Sequence, residues 1–580
     1  MFSALLLLPF LVLVVHAQIP LPQPPFIPPN ATAGTVPSSS TPNPQWSTLL
    51  GNLLYFYEEQ RSGKLPDTNR VSWRNDSALN DGKQAGVDLT GGYYDAGDHI
   101  KATFPLSFTL MSICWGATDS GKGYDLASQT PYLDDMLRWG LNWLIKAHPN
   151  DTTLYVLVGS SKSDDTYWGG DTTIPEPRPA YQINNTYPGT DAAAGASAAF
   201  AACSNLYANR LFNTTIYSSA TLQNSSYAQT LLTHAQSLYN FAVNATGGLQ
   251  TYQTSVPAAG QSYSSSSFGD ELTIASLFLS RALESNDLYQ QAESYYTKYN
   301  LASQDRVFNW DSKGPGLPIL FSQVIQSSSK LQGNFSKWQN LAEQYLDQIV
   351  GGTSSGYMTS DGLLYYDGDS DNASLNPALN AAMLMAKYAP MASTAAKKSS
   401  YLSFAQSQVD YALGQNSMSM PYVVGSNPNS PQNPHSALAS GGNNSSDINT
   451  IPLQEAHVLY GAVVGGPDKY GRFFDLRNDW PETEAALDYN APMLTLASMH
   501  VTSDSKNPYF TALQAGAYNK PNGIPCDAAY PEGCIPPDLP EDGKIAMAVV
   551  ITVVGLTIIG SISYYIYLVE TRKNRAFGTY

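Results

Sequence analysis

Tyr132-Leu133-Asp134-Asp135-Met136-Leu137-Arg138-Trp139-Gly140-Leu141-Asn142-Trp143-Leu144-Ile145-Lys146-Ala147-His148 places Leu133, Met136, Leu137, Gly140, Leu141 and Leu144 at spacings of one, three and four. Residues three and four apart share one face of a helix, so this run predicts an amphipathic helix with its apolar side turned inward. Similar stripes recur at 191–211, 227–243, 270–284, 288–299, 337–350, 378–388, 401–413 and 484–500, with Asp191 and Asp270 suited to N-caps. Few stretches alternate with a period of two, and the fold class is read as all-α. Between the stripes lie long loops rich in Gly, Asp, Asn, Tyr and Trp, at 156–187 and 421–451. Loops of that length in a compact domain usually carry function. Short joints at one end and long aromatic loops at the other predict a helical barrel with a cleft at one mouth.

The 580 residues hold 30 Lys+Arg against 47 Asp+Glu, a net charge of −17. That balance argues against a polyanionic partner, so no nucleic acid is expected. A hydrophobic fraction of 43% is enough for a large core. Four cysteines exclude a disulfide-built scaffold and a Cys-rich zinc module. Cys526 and Cys534 flank a short loop and suit a local disulfide. Cys114 and Cys203 lie in apolar helical sequence and fit two buried thiols as well as a bridge.

The ends read differently from the middle. Residues 1–17 have the short apolar run and small-residue exit of a secretory signal, and 18–44 form a Pro/Ser/Thr-rich linker. A domain at 45–515 follows, then a Pro/Gly-rich stalk at 516–543. An apolar segment at 544–568, uncharged from Ile545 to Leu568, is long enough for one C-terminal transmembrane helix, and a tail at 569–580 carries Arg572, Lys573 and Arg575. This predicts a single-pass membrane protein of the secretory pathway, its domain outside the cell and at the surface. Sequons at Asn30, Asn75, Asn150, Asn184, Asn213, Asn224, Asn244, Asn334, Asn372, Asn443 and Asn444 suit a glycoprotein in that compartment.

Three constellations carry chemistry. In Gly91-Gly92-Tyr93-Tyr94-Asp95-Ala96-Gly97-Asp98-His99, two carboxylates separated by small residues can converge on a water or a metal ion; a polar turn is the plain alternative. In 473–484, Asp475, Asp479, Glu482 and Glu484 are mixed with Phe473, Phe474 and Trp480. That composition suits holding a sugar while one carboxyl is kept protonated, and Glu484 is the best acid, although a helix N-terminus could equally use it. The loop 421–436 ends in His435, a residue that singly reads as surface or packing. Trp168, Trp310 and Tyr489 singly read as core residues.

Arg61-Ser62-Gly63-Lys64-Leu65-Pro66, Asn69-Arg70-Val71-Ser72-Trp73-Arg74, the Asp95-Ala96-Gly97-Asp98 segment, Pro188-Gly189-Thr190-Asp191, Tyr422-Val423-Val424-Gly425 and Val464-Gly465-Gly466-Pro467 occur in one order. With Phe473, Asp475, Trp480, Glu484, Ala486, Asn490 and Ala491 they resemble glycoside hydrolase family 9, the endoglucanases, over about 55–498. The resemblance implies an (α/α)6 barrel and inverting, endo-acting hydrolysis of β-1,4-glucosidic bonds in cellulose or related β-glucans. It implies Asp98 as general base, Asp95 holding the water and Glu484 as general acid, with Asp475 and His435 as further active-site residues. Tyr489, Trp168 and Trp310 become substrate-binding aromatics. No cofactor is implied beyond a structural calcium, for which Asp270 would be a ligand. The partners expected are a β-glucan chain or oligosaccharide, and the membrane through the C-terminal helix. The chain departs from the family pattern at His435-Ser436-Ala437, where an Arg is usual at the third position. It departs also at 372–377, where Trp, Arg and Tyr are usual, at Ser265 and at Ala194-Gly195. These changes leave open two rivals: a non-catalytic glucan-binding or wall-sensing surface protein, and a hydrolase of a different wall or glycan substrate.

Overall fold

The computed structural model describes residues 42–213, 217–303, 307–509, 520–534, 556–557 and 559–566. Among them are twelve helices of eleven or more residues: α1 Pro44–Glu59, α2 Thr103–Ser120, α3 Thr130–Ala147, α4 Thr190–Tyr207, α5 Ser225–Asn244, α6 Gly269–Leu283, α7 Asn286–Lys298, α8 Leu317–Ser327, α9 Phe335–Val350, α10 Leu375–Tyr388, α11 Ala395–Ala412 and α12 Leu487–Ser503. They differ in how much of each is buried. In α9 only Trp338, Ala342, Glu343, Leu346 and Ile349 are buried, a single stripe. In α4 all 18 residues are buried, and in α10 all 14. Alanine, serine and glycine dominate α4, which lets neighbouring backbones approach closely on every side.

The even-numbered helices pack on one another, α2 on α4, α4 on α6, α6 on α8, α10 on α12 and α12 on α2. The odd-numbered ones lie against them: α5 on α4, α7 on α6, α9 on α8, α11 on α10, and α1 on α12. The last helix therefore meets the first two, and the ends of the domain are joined. Cys114 of α2 and Cys203 of α4 form a disulfide with their Cα atoms 5.0 Å apart, which settles the choice between thiols and a bridge. Cys526 and Cys534 are disulfide-bonded as well.

All nine expected stripes are helices, with shifted ends, but three helices were not anticipated: α1, α2 and α8. In α2 every residue from Thr103 to Asp119 is buried, so there is no polar face to give the sequence a period. The all-α reading also needs correction. Strands β1 Lys101–Ala102, β2 Thr153–Val158 and β3 Ala180–Asn184 form an antiparallel sheet in the order β1-β2-β3, and β4 Tyr357–Met358 pairs with β5 Leu364–Tyr365. In β2 the residues Leu154 to Val158 are all buried, so alternation is absent there too. Asp191 and Asp270 are not N-caps; the caps are Gly189 and Phe268, and both carboxylates lie inside the first turn.

Residues 42–530 fall in one compact unit. Within 520–530, part of the expected stalk at 516–543, the Cys526 N–H donates to Asp468 Oδ2 at 3.2 Å and the Ala528 N–H to the Asp371 carbonyl at 2.9 Å. The second unit, from Pro531 on, contains a helical turn Pro531–Cys534 and helical residues at 556–557 and 559–566. Most of the apolar run at 544–568, the signal and the linker lie outside the described residues. No helix among the described residues is long and apolar enough to cross a membrane. Of the sequon asparagines that are described, none is buried.

Candidate active site

The segment 91–99 is stitched down through its backbone. The N–H of Ser62 donates to the Gly92 carbonyl and that of Tyr94 to the Gln60 carbonyl, both at 2.9 Å. The Asp95 N–H donates to the Ile100 carbonyl, and the Asp95 carbonyl accepts from Leu487, the first residue of α12, both at 3.0 Å. Gly97 is required by close approach: a Cβ there would lie 2.4 Å from the His435 carbonyl oxygen and 3.1 Å from Glu484 Oε1. With glycine in place, the Gly97 N–H donates to Glu484 Oε1 at 3.0 Å, and the Gly97 carbonyl accepts from Ala437 N–H at 2.8 Å.

Glu484 follows a short turn, Trp480–Thr483, and has an extended backbone. It therefore lies ahead of α12 and does not serve that helix as a first-turn carboxylate. Its neighbour across the gap is His435, whose backbone N–H donates to the Thr483 carbonyl at 3.0 Å. His435 Nδ1 is hydrogen-bonded to the Arg477 carbonyl, and Nε2 stands 3.9 Å from Asp98 Oδ2, an ionic separation too long for a hydrogen bond.

These groups have opposed electrostatic environments. Burial raises the pKa of Glu484, the His435 charge counteracts this, Asp98 adds to it, and the Gly97 N–H lowers it; the net direction is upward. Burial works against protonating His435 but is outweighed by Asp98 and Glu484, which push its pKa up to about 9. Asp95 is 2% exposed, and burial drives its pKa well above the usual carboxylate range despite the hydroxyl of Tyr263, which donates to Oδ2. The Asp98 side chain keeps 23% of its surface in solvent.

A cleft of about 910 Å³ joins these side chains. Asp95, Asp98, His435, Glu484, Tyr489, Trp168 and Trp310 all line it. Trp168 sits 4.9 Å from the His435 ring, and Trp310 meets Tyr263 edge-on at 5.0 Å. Asp475 does not line the cleft. Its left-handed backbone, φ 53°, turns the carboxylate onto the loop before His435, where it accepts from the backbone N–H groups of Gln432 and Asn433 at 3.0–3.2 Å. Asp270 is also outside the cleft; it accepts from Ser267 Oγ at 2.8 Å and from the Lys313 N–H at 2.7 Å. The neighbouring Glu271 is paired with Lys313 Nζ at 2.7 Å. No three acidic groups among the described residues converge at Asp270.

The sequence reading missed Asp488, Asp164 and Tyr263, which line the cleft together with Trp480 of the 473–484 constellation. Asp488 accepts from Asn376 Nδ2 at 2.9 Å and is pushed up to about 7 by burial, against the pull of that bond. Asp164 accepts from the His99 N–H at 2.8 Å; burial, then Asp98, holds it well above the carboxylate range. Asp488 lies only four residues beyond Glu484, which was its one available signal.

The model of Glycosyl hydrolase family 9 matches residues 46–497. Endoglucanase 15 of Arabidopsis thaliana is 35% identical over 489 residues, covering 80% of this chain and 94% of its own. The structure is similar to the endoglucanase of the termite Nasutitermes takasagoensis, at 34% identity and a TM-score of 0.70, over 79% of this chain and 98% of that one. It is also similar to endoglucanase CelQ of Clostridium thermocellum in complex with cellotriose, at 30% identity and a TM-score of 0.67, over 80% of this chain and 71% of that one. A match across most of the helical domain, with the Asp95–Asp98 segment and Glu484 meeting in one cleft, means that the chain belongs to glycosyl hydrolase family 9.

Proposed function

We propose that this protein is an endo-β-1,4-glucanase that hydrolyses internal bonds of β-glucan chains, with Asp98 as general base and Glu484 as general acid. The observation that carries the reading is the contrast between two carboxyls facing one aromatic cleft. Asp98 is partly solvated, whereas burial raises the pKa of Glu484 and so favours its protonated form. Glycosidic cleavage needs one carboxyl of each kind.

In the proposed single displacement Asp98 takes a proton from water as its oxygen bonds to the anomeric carbon. The bond from that carbon to the leaving oxygen breaks, and Glu484 gives its proton to that oxygen. Asp95, held by Tyr263, orients the water, and His435 holds the charge of Asp98 in place. Asp475 acts through the loop it anchors. Tyr489, Trp168 and Trp310 offer ring faces to glucose units. Alternation of the twelve helices supports an (α/α)6 barrel. The apolar run at 544–568 with Arg572, Lys573 and Arg575 behind it supports a membrane-anchored enzyme with its cleft outside the cell.

Proton NMR of the first product from a soluble β-glucan tests the mechanism: an α-anomer appearing first is expected, and a β-anomer would show retention. A rapid fall in viscosity with little release of reducing ends tests endo action. Protease added to intact cells tests the topology, and release of the domain only after permeabilisation would refute surface placement.

A further inference from the structure

Asp479, Glu482 and Asp527 each direct a carboxylate oxygen to a common point, and the three atoms lie within 4.8 Å of one another. The residues are 0%, 1% and 5% exposed. Converging acids alone do not make a site. The second observation is what these oxygens lack: both oxygens of Asp479, Oε1 of Glu482 and Oδ2 of Asp527 are buried with no N–H or hydroxyl donor, and face only one another's carboxyls. The remaining oxygens are anchored, Glu482 Oε2 by the Phe474 N–H at 2.6 Å and Asp527 Oδ1 by the N–H groups of Ala529 and Tyr530 at 2.9 and 3.0 Å. Two of the three side chains are thus held by one oxygen while the other points inward.

The nearby cation Arg472 is taken by Asp468, which its Nε meets at 2.9 Å. A desolvated carboxylate with neither donor nor counter-charge is costly, and three together more so. Hard carboxylate oxygens select hard divalent cations. Oxygens that lie within 4.8 Å of one another can all reach one ion at the calcium–oxygen distance of about 2.3–2.6 Å, and a buried set of protein carboxylates suits calcium because magnesium dehydrates reluctantly and keeps several waters.

We propose that Asp479, Glu482 and Asp527 bind one calcium ion. Asp479 and Glu482 lie in the segment that leads to Glu484, and Asp527 comes from the chain beyond α12, so the ion clamps that later segment onto the stretch delivering Glu484. This site is separate from Asp270, whose carboxylate is satisfied by Ser267 and Lys313.

The test is isothermal titration of CaCl2 into the full-length chain after EDTA treatment, with the thermal unfolding midpoint followed against free calcium. Calcium binding and a midpoint that rises with calcium are expected. Asp527→Asn and Glu482→Gln should each weaken calcium affinity at least tenfold, or remove one bound ion, where Asp270→Asn does not. Three results would overturn the proposal: no calcium bound up to millimolar concentrations, unchanged binding in both Asp527→Asn and Glu482→Gln, or tighter binding of MgCl2 than of CaCl2.

Discussion

The wall of the cleft that carries Asp95 and Asp98 and the rim around 372–377 and 437 are built on different terms. The wall is held by backbone hydrogen bonds to Gln60 and Ser62 just after α1, to α12 and to the loop of His435, and its spacing leaves no room for a Cβ at Gly97. The rim is made of short side chains that satisfy one another: Asn376 donates to Asp488, Asn380 to Asn376, and Asn372 to the Gly368 carbonyl. At 437, where family members usually have Arg, Ala is wholly buried and its N–H supports Gly97. A backbone-held wall tolerates little change, whereas a rim of side chains can be rebuilt, and the departures from the family pattern at 372–377 and 437 fall on the rim.

The wall can be broken most directly at its acids. Asp98→Asn should lower turnover about 10²–10⁴-fold, while calorimetry shows oligosaccharide binding retained. Glu484→Gln should do the same on glucan yet spare aryl glycosides with good leaving groups, and loss on both would assign the proton elsewhere.

Positioning effects come next. Asp475→Ala removes the acceptor for two backbone N–H groups beside His435, at about 1.5–3 kcal/mol per charge-assisted bond. The value for kcat should fall about tenfold or more with KM little changed, and Asp475→Asn should recover part of it. A rise in KM alone would place Asp475 on the substrate after all.

The pH response separates the two partners of the pair. The pKa of His435 is raised from 6.5 to about 9, so its stabilising effect is complete below 6.5 and is lost as pH rises through 9. Denaturant unfolding should show wild type exceeding His435→Asn by more at pH 6 than at pH 9.5 or above. Activity should fall on the alkaline side as Glu484 loses its proton.

The rim predicts smaller changes. Ala437→Arg forces a guanidinium into filled space, so the protein should be destabilised by about 1–3 kcal/mol without tighter oligosaccharide binding. Tighter binding would mean that the rim keeps a vacant subsite there. Trp480, 37% exposed in the cleft, offers a ring face. Trp480→Ala should weaken binding by about 0.5–1.5 kcal/mol, read as a few-fold rise in KM with kcat unchanged.

The sequence by itself determined the helices that keep a wet face, because a half-buried helix such as α9 writes a period of three and four into its residues. It also determined the family, through motifs whose order survives changes in between, and with it pointed to Asp95, Asp98, His435 and Glu484, which line one cleft. Burial on nearly every side removes that period from α2 and β2, which emerged only from the packed structure, whereas α4 and α10, buried just as fully, stayed legible through their strong helix formers Ala, Leu and Met. Tertiary structure alone decided that Glu484 lies ahead of α12, that Asp475 faces a loop and not the cleft, and that Asp488 and Asp164 join the site. It alone brought Asp527 to Asp479 and Glu482. Each of those facts depends on which chain segments meet across the fold, and desolvation, the force that sets the pKa of these acids, exists only once they have met.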